Sequence, residues 1–229
     1  GDPATVTRDL TDWTAVDNGT FVDVEWAPGD GSAQLTCDDN LLDRIETEVV
    51  DGELRIRTPP NTLVQSHVDC VLELTSPCLF SVSNSGSGRF EAVEACAVED
   101  IHSSGSGSIA LGAVEVESLR IHTSGSGSVQ VDSVSAQDVD LHTSGSGGIT
   151  LAGGAGHIEV SQSGSGGMDG AELVVDTAEV GMSGSGDSHL AVNESVQADL
   201  SGSGSLHIYG TPSIDADTSG SGDVVVHPD

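Results

Sequence analysis

From residue 85 onward, apolar and polar positions alternate in short runs, each closed by the same four residues, Ser-Gly-Ser-Gly. After Ser104 the apolar positions are Ile109, Leu111, Val114, Val116, Leu119 and Ile121, mostly separated by single polar residues. The next stretch repeats them as Val129, Val131, Val134, Ala136, Val139 and Leu141. A period of two places one face of a strand in a core and the other in solvent. The tetrapeptide begins at Ser85, Ser104, Ser124, Ser144, Ser163, Ser183, Ser201 and Ser219, at intervals of 18 to 20 residues. A fixed period of this size, with a turn signal in each copy, marks stacked repeats. The pattern predicts an all-β fold: a right-handed parallel β-helix (β-solenoid) with about 19-residue coils. Three short strands per turn and coils about 4.8 Å apart are expected, with the tetrapeptides stacked along one edge. Glycine is expected to supply positive φ at each corner. The serine hydroxyls are expected to bond neighbouring backbone or the serine one coil away.

Residues 1–79 lack the tetrapeptide but still read as β structure. Strands are expected over residues 20–26, 33–37 and 67–74. Asp51-Gly52 reads as a hairpin turn between residues 45–50 and 53–57. Pro59-Pro60 breaks the chain after it. The division expected is an irregular or antiparallel β section over 1–79 that caps the solenoid of 80–229, the two forming one continuous unit. An uncapped end would expose both core and strand edges.

The tetrapeptide coils, the segment NLLDRIETEVVDGELRIRT and the opening TDWTAVDNGTFVDVEWAPGD resemble a bacterial family, the putative auto-transporter adhesin head (GIN) domain. The resemblance covers essentially the whole chain. It implies a secreted or outer-surface β-solenoid of unknown function with no established catalytic residues, so no site residue carries over. The chain departs from the family pattern in its four cysteines, its lack of lysine and its acidity.

Aromatic residues make up only 3% of the chain, so thin layers of Val, Ile, Leu and Ala must supply the core. There are 37 acidic residues and 6 basic ones, all arginine, for a net charge of −31. Nucleic-acid binding requires basic side chains to displace counterions, and is excluded as a function class. Anionic membrane surfaces are disfavoured for the same reason. No apolar run is long enough to span a bilayer. Gly1 reads as the remnant of a removed tag, and the chain is expected to follow a removed signal peptide. The localisation expected is secreted, periplasmic or on the outer surface of a bacterium. A surface glycan or protein is the expected partner. Val224, Val225 and Val226 close the repeats, so oligomerisation through coil ends is the expected mode if there is one.

Four cysteines suit an oxidising compartment. Cys78 lies seven residues before Ser85, and Cys96 eight before Ser104, almost the same place in successive coils. Stacked strands bring such positions within disulfide range, which predicts Cys78–Cys96. Cys37 and Cys70 then pair by elimination.

Candidate chemistry is sparse. His102, His122 and His142 each precede a corner by two residues and have outward parity, beside a ladder of Asp100, Arg120 and Asp140. Stacked imidazoles are transition-metal donors, although duplicated repeats also generate such ladders without function. Asp187 and Asp223 follow their corners directly, in the manner of glycine-rich calcium repeats, but those have half this period. No cofactor is therefore expected, with calcium or a transition metal as the alternative. An enzyme is not expected. The acids are spread over every coil, and coil length varies too little to leave loops for a substrate cleft. The function expected is a non-catalytic structural or adhesive surface module. Its alternatives are a carbohydrate-active enzyme on a β-helix and a divalent-metal-binding surface protein.

Overall fold

Alternation becomes extended backbone throughout the repeats. The computed structural model describes residues 1–59 and 68–228; Pro60 and His67, each part of an expectation above, lie outside them. Among the described residues there are nineteen strands and one short 3-10 turn, Leu42–Arg44. Each coil lies parallel and in register on the next. Ile109, Leu111 and Val114 stand on Val129, Val131 and Val134, while Leu119 and Ile121 stand on Val139 and Leu141. All ten side chains are buried. The eight tetrapeptide corners are separated by about seven turns. No helix is long and apolar enough to cross a membrane among the described residues.

Two local expectations need correction. A turn contains two strands or one long bent strand rather than three. Val129–Thr143, Ile149–Gln162, Met168–Met182 and Ser188–Leu200 each run unbroken from one corner to the next. Their bends are register shifts, such as the one between Val131 and Val134, so the backbone changes direction without leaving its ladder.

The corner glycines, in turn, do not have positive φ; among described glycines only Gly31, Gly52, Gly153 and Gly210 do. Their requirement is close backbone approach. A Cβ on Gly105, Gly125, Gly145 or Gly164 would collide with the carbonyl oxygen of the preceding coil's corner glycine. That carbonyl is fixed in place by the ladder: Gly105 O accepts from Ser126 N at 3.0 Å and Gly127 N at 3.1 Å, and Gly125 O from Ser146 N at 3.0 Å. Backbone bonds thus carry most of the corner: the corner serines are exposed, and Ser163 Oγ donates to Thr143 O of the neighbouring coil at 3.5 Å.

Just before the first six corners, that of the inserted N-terminal coil included, an inward polar side chain completes the closure, a place Met182 and Leu200 take before the next two. Asn18, Asn84, Ser103, Thr123, Thr143 and Gln162 form one buried ladder. Asn84 Nδ2 donates to Gly88 O at 2.7 Å, and Gln162 Nε2 donates to Gly166 O at 2.6 Å. Each amide therefore clamps the last carbonyl of its own corner, a group the turn leaves without a strand partner. Thr123 Oγ1 and Thr143 Oγ1 bond each other across coils at 2.5 Å.

The N-terminal section does more than cover an end. Ala15–Asn18 and Asp23–Pro28 form a parallel coil inserted between two others. On one side lie Glu53–Arg57 and Val71–Ser76, and on the other Ser81–Asn84 and Phe90–Ala95. The stacking order thus departs from chain order. Residues 20–22, expected to be strand, instead make the corner of this coil: Ser87 N donates to Thr20 O at 2.9 Å. Antiparallel strands close the outer edge, with Ser32–Asp38 between Pro3–Thr7 and Val71–Ser76. Glu46–Val50 pairs with Glu53–Arg57 through Asp51 (φ 52°) and Gly52 (φ 82°), as a two-residue hairpin requires. Cys37 is bonded to Cys70 and Cys78 to Cys96. The first staples the antiparallel edge to the stack, and the second joins successive coils.

Candidate functional site

Because the repeat fixes which side chains face out, every outward position forms a row along the stack. One such row, two residues before the corner, runs His102, His122, His142, Ser161, Gly181 and Asp199. Between it and the corner serines lies a shallow groove of about 540 Å³ that crosses six coils. Its floor is the outer side of the Ser103–Thr123–Thr143–Gln162 ladder, and its far wall is Ser104, Ser124, Ser144, Ser163, Ser183 and Ser201. Hydroxyl and imidazole groups thus recur along it at the coil spacing, about 4.8 Å.

The three histidines point outward, as their parity requires, and stack face to face. Ring centroids are 5.0 Å and 4.9 Å apart, with interplanar angles of 6° and 13°. Parallel rings at that spacing present their nitrogens side by side rather than toward one point. Burial lowers the pKa of His122 from the ordinary histidine value, with repulsion from His102 and His142 adding to it and Asp140 and Asp100 opposing it. The flanking row is paired: Arg120 Nη1 lies 3.1 Å from Asp100 Oδ1, and His142 Nε2 lies 3.2 Å from Asp140 Oδ1.

Asp187 and Asp223 fall in one row, but Ser205 stands between them, so the two carboxylates sit two coils apart. Asp187 Oδ1 accepts the backbone N–H of Ser205 at 2.8 Å, and Asp23 Oδ1 accepts that of Arg89 at 2.7 Å in the same position. The carboxylate after a corner therefore tethers the coil above it. Among the described residues no three His, Cys, Asp or Glu side chains converge where one ion could be held.

A second group of rings was not anticipated. His189, His207, Tyr209 and His227 gather on the last coils, half-buried. His189 stacks on His207 at 4.5 Å, and Tyr209 stacks on His227 at 4.8 Å. The signal was in the spacing: His189 and His207 each follow their corner serine by six residues, and Tyr209 and His227 follow theirs by eight.

The profile of the putative auto-transporter adhesin, head GIN domain, matches residues 12–212. No curated protein matches the chain. Among solved structures it is similar to a putative adhesin from Parabacteroides merdae, at 20% identity, TM-score 0.91, covering 99% of this chain and 97% of that one. A putative lipid binding protein from Parabacteroides distasonis superposes with a TM-score of 0.90 at 23% identity, covering 99% and 97%. A putative adhesin from Bacteroides fragilis gives a TM-score of 0.75 at 22% identity, covering 99% and 97%. At these identities the likeness speaks for the fold alone.

Proposed function

The chain belongs to the putative auto-transporter adhesin head GIN domain family, and on that footing we propose that it is a non-catalytic adhesive module of a bacterial surface whose ligand is an extended glycan. The observation that carries this reading is the groove beside the corner serines, which crosses six coils without an inserted loop. Its corner hydroxyls recur on all six coils at one spacing, with imidazoles beside the first three, so a polymer lying along the axis meets a serine hydroxyl on every coil. Polar rows of this kind suit a hydroxylated chain better than an apolar one. The groove is open along its length, whereas carboxylate-driven glycoside hydrolysis needs two acids placed across one bond. Among the described residues, Asp199 is the one acid that lines it. Two disulfides fit an oxidising, extracytoplasmic compartment. Attachment of a strain lacking the protein tests the role. Adhesion to glycan-coated surfaces should fall and return on complementation; unchanged adhesion would refute it.

A further inference from the structure

Two tripeptides in the chain have the form Asn-x-Ser/Thr that N-linked glycan transfer requires, Asn18-Gly19-Thr20 and Asn193-Glu194-Ser195. The fold separates them. Asn18 is fully buried; its Nδ2 donates to Val22 O at 2.8 Å, and its Oδ1 accepts from Thr20 N at 3.1 Å and Thr20 Oγ1 at 2.8 Å. That amide is committed to holding its corner. Asn193 and Glu194 are exposed. They stand in a bulge of Ser188–Leu200, because the preceding coil passes from Val175 to Thr177 while this one passes from Val192 to Ser195, with one residue more. On the other side the next coil leaves its ladder between Tyr209 and Ser213, through Gly210 (φ 114°), Thr211 and Pro212. The registers on both sides therefore skip Asn193.

We propose that Asn193 is a site of N-linked glycosylation, accepting a glycan from a polyprenyl-phosphate-linked donor. Its Nδ2 donates to Asp176 Oδ1 at 3.3 Å, a long bond between two exposed side chains that costs little to give up. In the transfer a bond forms between Nδ2 and the anomeric carbon. The bond from that carbon to the donor's phosphate oxygen breaks, its electron pair leaves with the lipid phosphate, and the amide gives up one proton. Ser195 supplies the hydroxyl the motif places two residues on, and it stands in the outward row of Thr177 and Ser213. The two disulfides fit an extracytoplasmic compartment, where secreted chains receive such glycans. The groove beside the corner serines takes Asp199 and Ser201 from this coil and none of residues 193–195, so a glycan on the bulge leaves that groove open.

Mass-spectrometric peptide mapping of the full chain, isolated from the organism that makes it, tests the site. The peptide holding Asn193 should carry a mass increment that fragments to sugar ions, and the peptide holding Asn18 should carry none. Asn193→Gln and Ser195→Ala should each remove the increment completely, while Ser195→Thr should keep it. All three variants should retain the parent far-ultraviolet circular dichroism, so that loss of the increment reads as loss of the acceptor and not of the fold. An unmodified Asn193 in the native chain would overturn the inference. So would an increment on Asn193 that survives Ser195→Ala, or glycans confined to the corner serines.

Discussion

Gly147 and Gly148 are adjacent in sequence, and the structure assigns them opposite responses to alanine. A Cβ on Gly147 would lie well under 3.0 Å from the carbonyl oxygen of Gly127 in the preceding coil, an atom that cannot rotate away. At Gly148 the nearest atom to an added Cβ is Gly167 O at 3.9 Å, an ordinary contact, and φ is not positive. Relief at Gly147 requires the corner to open by about 1 Å. That would break the bonds from Ser146 N and Gly147 N to Gly125 O, now 3.0 and 3.2 Å. Two backbone bonds at about 0.5–1.5 kcal/mol each, with overpacking of about 1–3 kcal/mol, put Gly147→Ala at roughly 2–6 kcal/mol destabilising. Gly148→Ala should instead be neutral or stabilise by up to about 1 kcal/mol, through the unfolded chain. For a chain of this size each kcal/mol moves Tm by about 2–4 °C, so the two melting curves should separate by roughly 4–28 °C. Calorimetry of the two variants reads the difference. Equal melting temperatures would refute close approach as the reason for glycine at the corner.

Further expectations follow from the same contacts. Asn84→Ala removes the clamp on Gly88 O and a second bond to Ser108 O at 3.3 Å, and should cost about 1–3 kcal/mol in chemical denaturation. Cys78→Ala/Cys96→Ala opens a loop with a sequence separation of 18 and should lose about 3 kcal/mol, while peptide mapping still finds Cys37–Cys70. Because the folded pKa of His122 lies below its unfolded value near 6.5, the unfolded state takes up its proton first on acidification. Stability should therefore be complete above about pH 6.5 and decline below it until the folded pKa is passed, and His122→Gln should flatten that part of the profile.

The repeat made the fold readable because each coil states it again. Ile121, His122 and the serine that follows at Ser124 carry inward, outward and corner roles that Leu141, His142 and Ser144 restate. The Cys78–Cys96 register was legible for that reason. What escaped were features lying between coils rather than within one. Gly125 looks the same whether it serves φ or a neighbouring carbonyl, and only the stacked coil decides. Residues 20–22 lack glycine and serine and read as strand, yet they turn the corner because Asn18 bonds Val22 O at 2.8 Å. The insertion of Ala15–Asn18 between later strands leaves no local mark, since hydrophobic pattern specifies a buried face but not which coil covers it. His207 and His227 sit at different offsets from their corners, so an alignment of repeats separates the residues that the diagonal brings together.

Binding of the full chain to a glycan array arranged by oligomer length tests the adhesive reading most directly, with Ser124→Arg/Ser144→Arg in parallel to obstruct the exposed wall of the groove. The groove predicts that binding to a surface polysaccharide series strengthens with length toward the span of six coils, leaves the oligomers intact, and is lost in the arginine variant. Equal binding of the shortest and longest oligomers, retention in the variant, or cleavage of the bound glycan would contradict it.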